Sequence, residues 1–361
     1  MLPLEPTDLF HLSFTDAAFR VALYVLLALS SLAFLLTLMA VLFRIQNDRK
    51  MTMRRQLDRQ WQPLLFEVMA GDRDPASLQH LIDRRHEFYF TSFLYRFARR
   101  VRGEDLERLR LAARPFLPGV RAGLQDRLPE VRARRLQFLG LLGAPDYTEE
   151  LIQGLDDPSP MVGLAAMRSL VRRGDPAVLP AILQRLHRFE PFSHAMLASL
   201  LARMGFEALP VLRAHLTDTT VPAWVRAVVA DALARLDDAH AADLGASLLQ
   251  PDGDPRLLVA LLNLLGAVGQ SRHRKPVRPL LDHADEEVRL HAVRTLGVLA
   301  GPDDAALLRR ALDDPSPWVA TEAAQALKRA GHLHTLRSLA ASDHPRRRLL
   351  QQVLVEDVSA T

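Results

Sequence analysis

A six-residue phrase, LDDPSP, occurs twice in the chain, at residues 155–160 and 312–317, which are 157 residues apart. After one further residue, each copy is followed by Val, by Ala four positions later and by Leu four positions after that. The two triads are Val162, Ala166, Leu170 and Val319, Ala323, Leu327. Because residues four apart lie on one face of an α-helix, each triad predicts the buried face of a helix.

The same triad recurs before and between the two copies, at intervals of 31 or 32 residues. The other five triads are Val131, Arg135, Leu139; Ser193, Leu197, Leu201; Val225, Val229, Leu233; Leu257, Leu261, Leu265; and Val288, Ala292, Leu296. Each unit also holds a second apolar stretch, and Gly, Asp-Pro or Ser-Pro breaks separate the stretches as turns, with Asp or Ser as helix N-caps. The pattern predicts seven helical hairpins, with altered burial or stacking at Arg135 and Ser193.

Hairpins this small cannot bury their apolar faces alone, so neighbouring units must stack into an α-solenoid. The composition agrees, since 49% of the residues are hydrophobic and the commonest types, Leu, Ala and Arg, are good helix formers. The net charge is only +4, and the acidic residues are interspersed with the arginines rather than segregated from them. We therefore expect an all-α fold and no specific nucleic-acid partner.

An uncharged stretch of 23 residues, from Val21 to Phe43, precedes the repeats. As a helix it would extend about 35 Å, enough to cross a bilayer. A cleaved signal peptide would have a basic start and a shorter apolar core, so the stretch predicts a retained anchor. Six basic residues follow it between Arg44 and Arg59, whereas only Arg20 precedes it. The positive-inside rule then predicts a single-pass protein of the cell (inner) membrane, with the N-terminus outside and the solenoid in the cytoplasm.

The expected organisation follows from these features. It comprises a short extracytoplasmic tail (1–20), a transmembrane helix (21–43), a basic juxtamembrane linker (44–59), atypical capping helices (60–123), about seven repeats (124–345) and a C-terminal tail (346–361).

The repeats resemble HEAT repeats of the short bacterial type, similar to those of phycobilin lyase-like proteins. The resemblance covers residues 124–345 and is carried by DHADEEVRLHAVRTLGVLAG at 282–301 and DDPSPMVGLAAMRSLVRRG at 156–174, together with Val-Arg pairs such as Val288 and Arg289. It implies a solenoid of HEAT-like hairpins. The whole layout, with its anchor and the segment WQPLLFEVMAG, resembles HEAT-repeat proteins associated with membrane glycosyltransferases of exopolysaccharide systems.

Two clusters are candidate partner-binding sites. The first holds six of the 22 aromatic residues within ten positions, and the second is the basic loop SRHRKPVR at 271–278. The candidate residues are Phe88, Tyr89, Phe90, Phe93, Tyr95 and Phe97 in the first, and Arg272, Arg274, Lys275 and Arg278 in the second. The aromatic cluster is either the core of a terminal cap or an exposed patch for a membrane-embedded partner, and the basic loop is either solvated or binds an acidic partner.

No motif for catalysis, cofactor binding or metal binding is recognisable. The chain has no Cys, no P-loop, no GxGxxG and no GxSxG, and its thirteen His residues are scattered. HEAT-repeat hydroxylases bind iron through His-Glu pairs, of which this chain has one, His86 and Glu87, outside the regular repeats. We therefore predict a non-enzymatic scaffold without cofactor or small-molecule substrate, which binds a membrane-associated protein. The alternative is an enzyme or subunit of the phycobilin lyase-like or hydroxylase type.

Overall fold

The computed structural model describes residues 16–299 and 301–355, and every regular element in these ranges is helical. The chain divides into two compact units, the first reaching Phe93 and the second beginning at Leu94. The helices before the repeats are α1 (Asp16–Ala70), α2 (Leu78–Leu81), α3 (Glu87–Ala98), α4 (Glu104–Ala113) and α5 (Leu117–Ala122).

The first unit is dominated by α1, which is 55 residues long and contains the apolar stretch Val21–Ile45. Every residue of this stretch is exposed, and it is long and apolar enough to cross a membrane. The basic segment predicted as a linker continues the same helix. Beyond it, Trp61 becomes buried together with Leu65 and Val68, so the C-terminal part of α1 belongs to the core of this unit.

The second unit consists of helical hairpins at the predicted period. Their helices are α6 (Pro129–Leu142) and α7 (Thr148–Gly154), α8 (Pro160–Arg173) and α9 (Leu179–Arg185), α10 (His194–Ala202) and α11 (Leu209–Thr217), α12 (Ala223–Arg235) and α13 (Ala239–Leu248), α14 (Pro255–Val268) and α15 (Arg274–Val277), α16 (Glu286–Leu299) and α17 (Ala305–Arg310), and α18 (Pro317–Arg329) and α19 (Leu333–Ala341). The all-α solenoid predicted from the repeat is thus confirmed, and all seven triads fall on the first helix of a hairpin or at its start.

The hairpins stack in two layers with the core between them. The first helices pack against one another in chain order, and most second helices pack against the first helix of the next hairpin. A continuous apolar core runs from Leu136 to Val353 between the layers. Each unit therefore completes the core of its neighbours, as an α-solenoid requires.

The two departures from the triad pattern have visible consequences. Ser193 lies at the N-cap of α10, which has nine residues where the other first helices have 13 or 14. Arg135 is half-buried, and its guanidinium donates to the Gly119 carbonyl at 3.0 Å. Gly123 makes room for it, because a Cβ at that position would lie 2.1 Å from Arg135 Nε.

The segment predicted as a C-terminal tail is helical over its described part. Helix α20 (Arg347–Val355) packs against α18 and α19. Leu350 and Val353 are buried in the contact. The stack therefore extends one helix beyond the seventh hairpin, which provides the apolar cover that the last repeat of a solenoid needs.

Candidate partner-binding surface

The repeated LDDPSP phrase forms an ionic link between successive hairpins. The guanidinium of Arg132 donates two hydrogen bonds of 2.8 Å to Asp157, and Arg289 makes the equivalent pair to Asp314 at 2.8 and 3.1 Å. The second Asp of each phrase thus binds the Arg that follows the triad Val of the preceding hairpin. The LDDPSP phrase that recurs after 157 residues therefore makes the same Arg–Asp contact in both places.

The same carboxylates also organise the turn before the next helix. Asp157 accepts the Ser159 amide and Asp314 accepts the Ser316 amide, each at 2.8 Å. The sequence predicted Asp or Ser as the helix N-cap, and in the second copy Ser316 has this role, because its hydroxyl accepts from the Trp318 amide. Because the second Asp is used for the turn and the link, the phrase has a structural purpose.

Burial and hydrogen bonding act in opposite directions on Asp157. Burial favours the neutral carboxyl, but the hydrogen bonds from Arg132 and from the Ser159 amide outweigh it, so the pKa of Asp157 lies below its usual value. The hydrogen bonds that Arg289 donates to Asp314 raise the pKa of Arg289 despite partial burial. Asp157 and Arg289 are therefore charged at neutral pH.

The aromatic cluster divides between core and partly exposed positions. Phe90 and Phe93 are buried and pack against Trp61, with ring centroids 5.2 and 5.7 Å away in edge-to-face geometry. Of the two alternatives for the cluster, the core of a terminal cap therefore describes these two residues, which are not accessible to a partner.

The other four aromatic residues of the cluster are half-buried. They are Phe88, Tyr89, Tyr95 and Phe97. The Arg54 guanidinium lies 4.8 Å from the centroid of the Tyr89 ring, a cation–π contact within the first unit. In the second unit, Tyr95 packs on Phe138 at 4.8 Å. Only these half-buried rings keep surface for the predicted role.

The basic loop is largely engaged with carboxylates of neighbouring elements. Arg278 lies 2.7 Å from the buried carboxylate of Asp304, and Arg274 lies 3.8 Å from it. Arg272 contacts Asp243 at 3.2 Å. Lys275 is exposed and forms no ion pair with the described residues. Three of the four predicted cations thus hold the stack together.

A row of apolar side chains that the sequence reasoning missed lies at the start of the first helices. Each member immediately precedes the first residue of a triad; we call this set the apolar row. It consists of Met161, Phe192, Trp224 and Trp318. The side chains of Met161 and Trp318 are 63% and 71% exposed, whereas Phe192 and Trp224 are half-buried. Large apolar residues off the buried face of a helix were the available signal.

The first three members of the apolar row occupy successive hairpins, the second, third and fourth. Because successive repeats stack on one another, these residues lie at the same edge of neighbouring hairpins. The equivalent positions in the first, fifth and sixth hairpins are Glu130, Arg256 and Glu287. The row is therefore apolar from the second to the fourth hairpin and again in the seventh, and charged residues flank these positions. Apolar side chains bordered by charged ones suit a protein partner.

Comparison with known proteins identifies the repeats. Residues 117–192 and 243–328 match the family profile of HEAT repeats. The stretch between them, which contains the short helix α10, lies outside the match although its hairpins are present in the structure. No curated protein matches the chain in sequence.

Several solved structures align with this chain at low identity. A Kap121p mutant aligns over 78% of this chain with 14% identity and a TM-score of 0.47, and this chain spans 38% of its length. The complex of CpcE and CpcF of phycocyanin lyase from Nostoc sp. PCC7120 aligns over 68% of this chain and 89% of its own, with 20% identity and a TM-score of 0.31. Human deoxyhypusine hydroxylase in complex with glycerol aligns over 74% and 88%, with 21% identity and a TM-score of 0.30. The family profile alone therefore identifies this chain, as one that carries HEAT repeats over residues 117–192 and 243–328.

Proposed function

We propose that this protein is a membrane-anchored HEAT-repeat scaffold that binds a protein partner on the cytoplasmic side of the membrane. The observation that carries the proposal is the character of α1. Its 25-residue stretch Val21–Ile45 has a mean hydropathy of 2.6 and none of it is buried. In water such a surface would be a strong liability to aggregation, whereas in a bilayer it is matched to its solvent.

The continuity of α1 supports a retained anchor rather than a cleaved signal. The same helix extends to Ala70 and contributes Trp61 to a core shared with Phe90 and Phe93. A cleaved signal would end where the apolar stretch ends, whereas here one helix continues without a break from the stretch into the core. The proposed orientation rests on the basic residues that follow the stretch, from Arg44 to Arg59.

The absence of cysteine in the natural chain makes this topology simple to test. Single cysteines introduced as Ser13→Cys and Ser342→Cys are expected to differ in intact cells: a membrane-impermeant maleimide labels the first and not the second. Labelling of both after cell lysis is the control. Labelling of Ser342→Cys in intact cells, or recovery of the protein in the soluble fraction without detergent, would contradict the anchor or its orientation.

Partner binding is proposed for the apolar row. Solenoids offer extended surfaces, and exposed aromatic side chains on them are the residue types that dominate protein interfaces. The partner we propose is a membrane glycosyltransferase complex of exopolysaccharide synthesis, a choice that rests on the resemblance of the whole layout. Binding and positioning of that complex is the proposed activity, with no catalytic residue in this chain.

Affinity purification of the full-length protein from detergent-solubilised membranes tests the interaction. Met161→Asp combined with Trp318→Ala is expected to abolish recovery of the membrane enzyme. Phe206→Ala is the matched control, because Phe206 is 73% exposed but lies outside the apolar row. Equal recovery with both variants, or recovery of no membrane enzyme with the natural sequence, would refute the proposal. Bound iron or a tetrapyrrole absorption band in the purified protein would favour the enzymatic alternative instead.

A further inference from the structure

Six arginines surround one cleft of about 490 Å³ in the second unit. The volume falls within the roughly 300–1,000 Å³ of typical small-molecule sites. The arginines are Arg99, Arg102, Arg110, Arg172, Arg173 and Arg203. We call this the arginine cleft. It lies at the C-terminal ends of the first helices, whereas the apolar row lies at their N-terminal ends, so the two surfaces are distinct.

The arginines come from three separate parts of the chain. Arg99 and Arg102 precede α4, which contains Arg110. The pair Arg172 and Arg173 ends α8, and Arg203 is the C-cap residue of α10. Stacking of the hairpins therefore assembles the cluster, which no local sequence motif announces.

Few of these charges are neutralised within the protein. Arg110 pairs with Glu107 and also donates to the Leu141 carbonyl at 3.1 Å. The exposed Arg99, Arg102, Arg172 and Arg203 form no ion pair with any described residue. An assembly of like charges without counter-charges opposes folding, so its presence points to a counter-ion from outside the chain.

Arg173 is the most informative member of the cluster. Its Nη2 lies 3.4 Å from the Pro145 carbonyl, but its Nη1 is buried and has no hydrogen-bond acceptor among the described residues. Burial lowers the pKa of Arg173, and the charge of Arg110 lowers it further, although Asp175 acts in the opposite direction. Buried N–H groups are nearly always satisfied, so an unsatisfied one on a residue that lines a cleft points to an acceptor that binds when this side chain turns toward the cleft.

Helix dipoles explain only part of the cluster. Basic residues are favourable at helix C-termini, and α6, α8 and α10 all end near the cleft. Each helix end is equivalent to about half a negative charge, so three of them amount to about one and a half. That is well short of the five arginines that remain after Glu107 is paired with Arg110, and a dipole supplies no acceptor for Arg173 Nη1.

We propose that the arginine cleft binds a small molecule that carries a diphosphate group. Guanidinium forks match phosphate oxygens in bidentate geometry, and two linked phosphates supply enough charge and acceptors to engage several arginines together. A single phosphodiester, as in a phospholipid headgroup, carries one negative charge and leaves most of the cluster unmatched. Val101, Leu106 and Leu141 also line the cleft and accommodate an organic part of the ligand.

Titration calorimetry of the full-length protein in non-ionic detergent tests the proposal with inorganic pyrophosphate and ADP as probes. Arg172→Gln combined with Arg203→Gln is expected to weaken binding about tenfold or more for each arginine removed. Both side chains are exposed and form no ion pair with the described residues, so folding is preserved. Arg309→Gln combined with Arg337→Gln is the matched control, because it removes the same charge from exposed sites outside the cleft and leaves the affinity unchanged.

Arg173→Met provides a second, independent readout. Without a probe, its melting temperature is expected to equal or exceed that of the natural protein, since an unsatisfied buried group is removed. With pyrophosphate, the stabilisation seen for the natural protein shrinks. A merely structural Arg173 would instead lower the melting temperature in both conditions.

Three outcomes would overturn the proposal: no binding of either probe, equal weakening in the cleft and control variants, or cleft-dependent binding of phosphatidylglycerol vesicles without binding of either soluble diphosphate. The last would assign the cleft to a lipid headgroup. Because no partner protein enters these measurements, their result is independent of the scaffold proposal.

Discussion

The two aspartates of LDDPSP are expected to contribute very differently to stability, although they are adjacent in sequence. Asp157 and its partner Arg132 have side chains that are only 12% and 15% exposed. Asp156 is 48% exposed and pairs with Arg185 through one contact of 2.7 Å. The comparison of Asp157→Ala with Asp156→Ala therefore isolates the link between hairpins from the charge itself.

The expected magnitude follows from the bonds that are lost. Asp157→Ala removes two charged hydrogen bonds to Arg132 and one to the Ser159 amide. Arg132 keeps the carbonyls of Asp126 and Arg127 as acceptors. Charged hydrogen bonds contribute about 1.5–3 kcal/mol each, and with these remaining acceptors we expect a net loss of about 2–4 kcal/mol. Exposed ion pairs contribute about 0–1 kcal/mol, which is the range expected for Asp156→Ala.

Thermal unfolding of the full-length protein in detergent measures the difference. At about 2 °C per kcal/mol for a unit of this size, Asp157→Ala should lower the melting temperature by about 4–8 °C and Asp156→Ala by about 2 °C or less. The second copy offers a replicate, because Asp314 is 8% exposed and Asp313 is 68% exposed. Equal effects of the two substitutions in either copy would refute the assignment.

The pH dependence gives an additional check on Asp157. Its pKa is lowered in the folded state, so its contribution is complete above the ordinary aspartate pKa of about 3.9. The contribution is lost as the pH falls through the lower folded value. The gap between Asp157→Ala and the natural protein should therefore be constant from pH 5 to pH 8 and should close below about pH 4. A gap that persists in acid would refute the charged link.

Three further predictions concern packing and charge in the described residues. Gly140→Ala should destabilise the protein by about 1–2 kcal/mol in urea unfolding, because the new Cβ would lie 2.4 Å from Ser169 Cβ. Gly266 lies at the equivalent repeat position, and the nearest atom to a Cβ there is 3.5 Å away. Gly266→Ala should therefore stabilise the protein by about 0.5–1 kcal/mol. Glu322→Gln should lower the free energy of unfolding by about 1–2 kcal/mol at pH 7 and not at all at low pH. Burial would raise the pKa of Glu322, but hydrogen bonds from Arg294 and Arg329 lower it. A loss of stability that persists in acid would contradict this prediction. Phe90→Ala should lower the free energy of unfolding by about 3–5 kcal/mol and Trp318→Ala by less than about 0.5 kcal/mol, since Phe90 is 1% exposed and Trp318 is 71% exposed. Similar melting temperatures for the two variants would contradict the assignment of Phe90 to the core of a cap.

Most of the architecture could be predicted from the sequence because it is periodic. The triad at intervals of 31 or 32 residues marks the buried face of each first helix. Because a single hairpin cannot bury that face, the hairpins must stack on one another. The apolar stretch Val21–Phe43 was equally readable, since length and lack of charge alone make a helix able to span a bilayer. Membrane insertion and orientation stay predictions.

The exposure of the candidate site residues could not be predicted from the sequence, because it depends on tertiary neighbours. The sequence does not distinguish between the six clustered aromatic residues. In the structure, Trp61 packs against Phe90 and Phe93, and these two rings are part of the core. From the sequence alone, the basic loop is expected to carry unpaired charges. In the structure, Asp304 and Asp243 of neighbouring elements form ion pairs with it. Local sequence contains no information about such partners, which are 26 to 30 residues away in the chain.

By itself, then, the sequence determined the period, the helix type, the buried face and the apolar span, because each is a local pattern of side chains along one helix. Only the tertiary structure decided which residue of LDDPSP links two hairpins, which aromatic rings are core, and that arginines between positions 99 and 203 converge on one cleft. These features depend on how one hairpin stacks on the next. Stacking brings together residues of different repeats, and a periodic sequence specifies that they are neighbours without specifying which of their atoms meet.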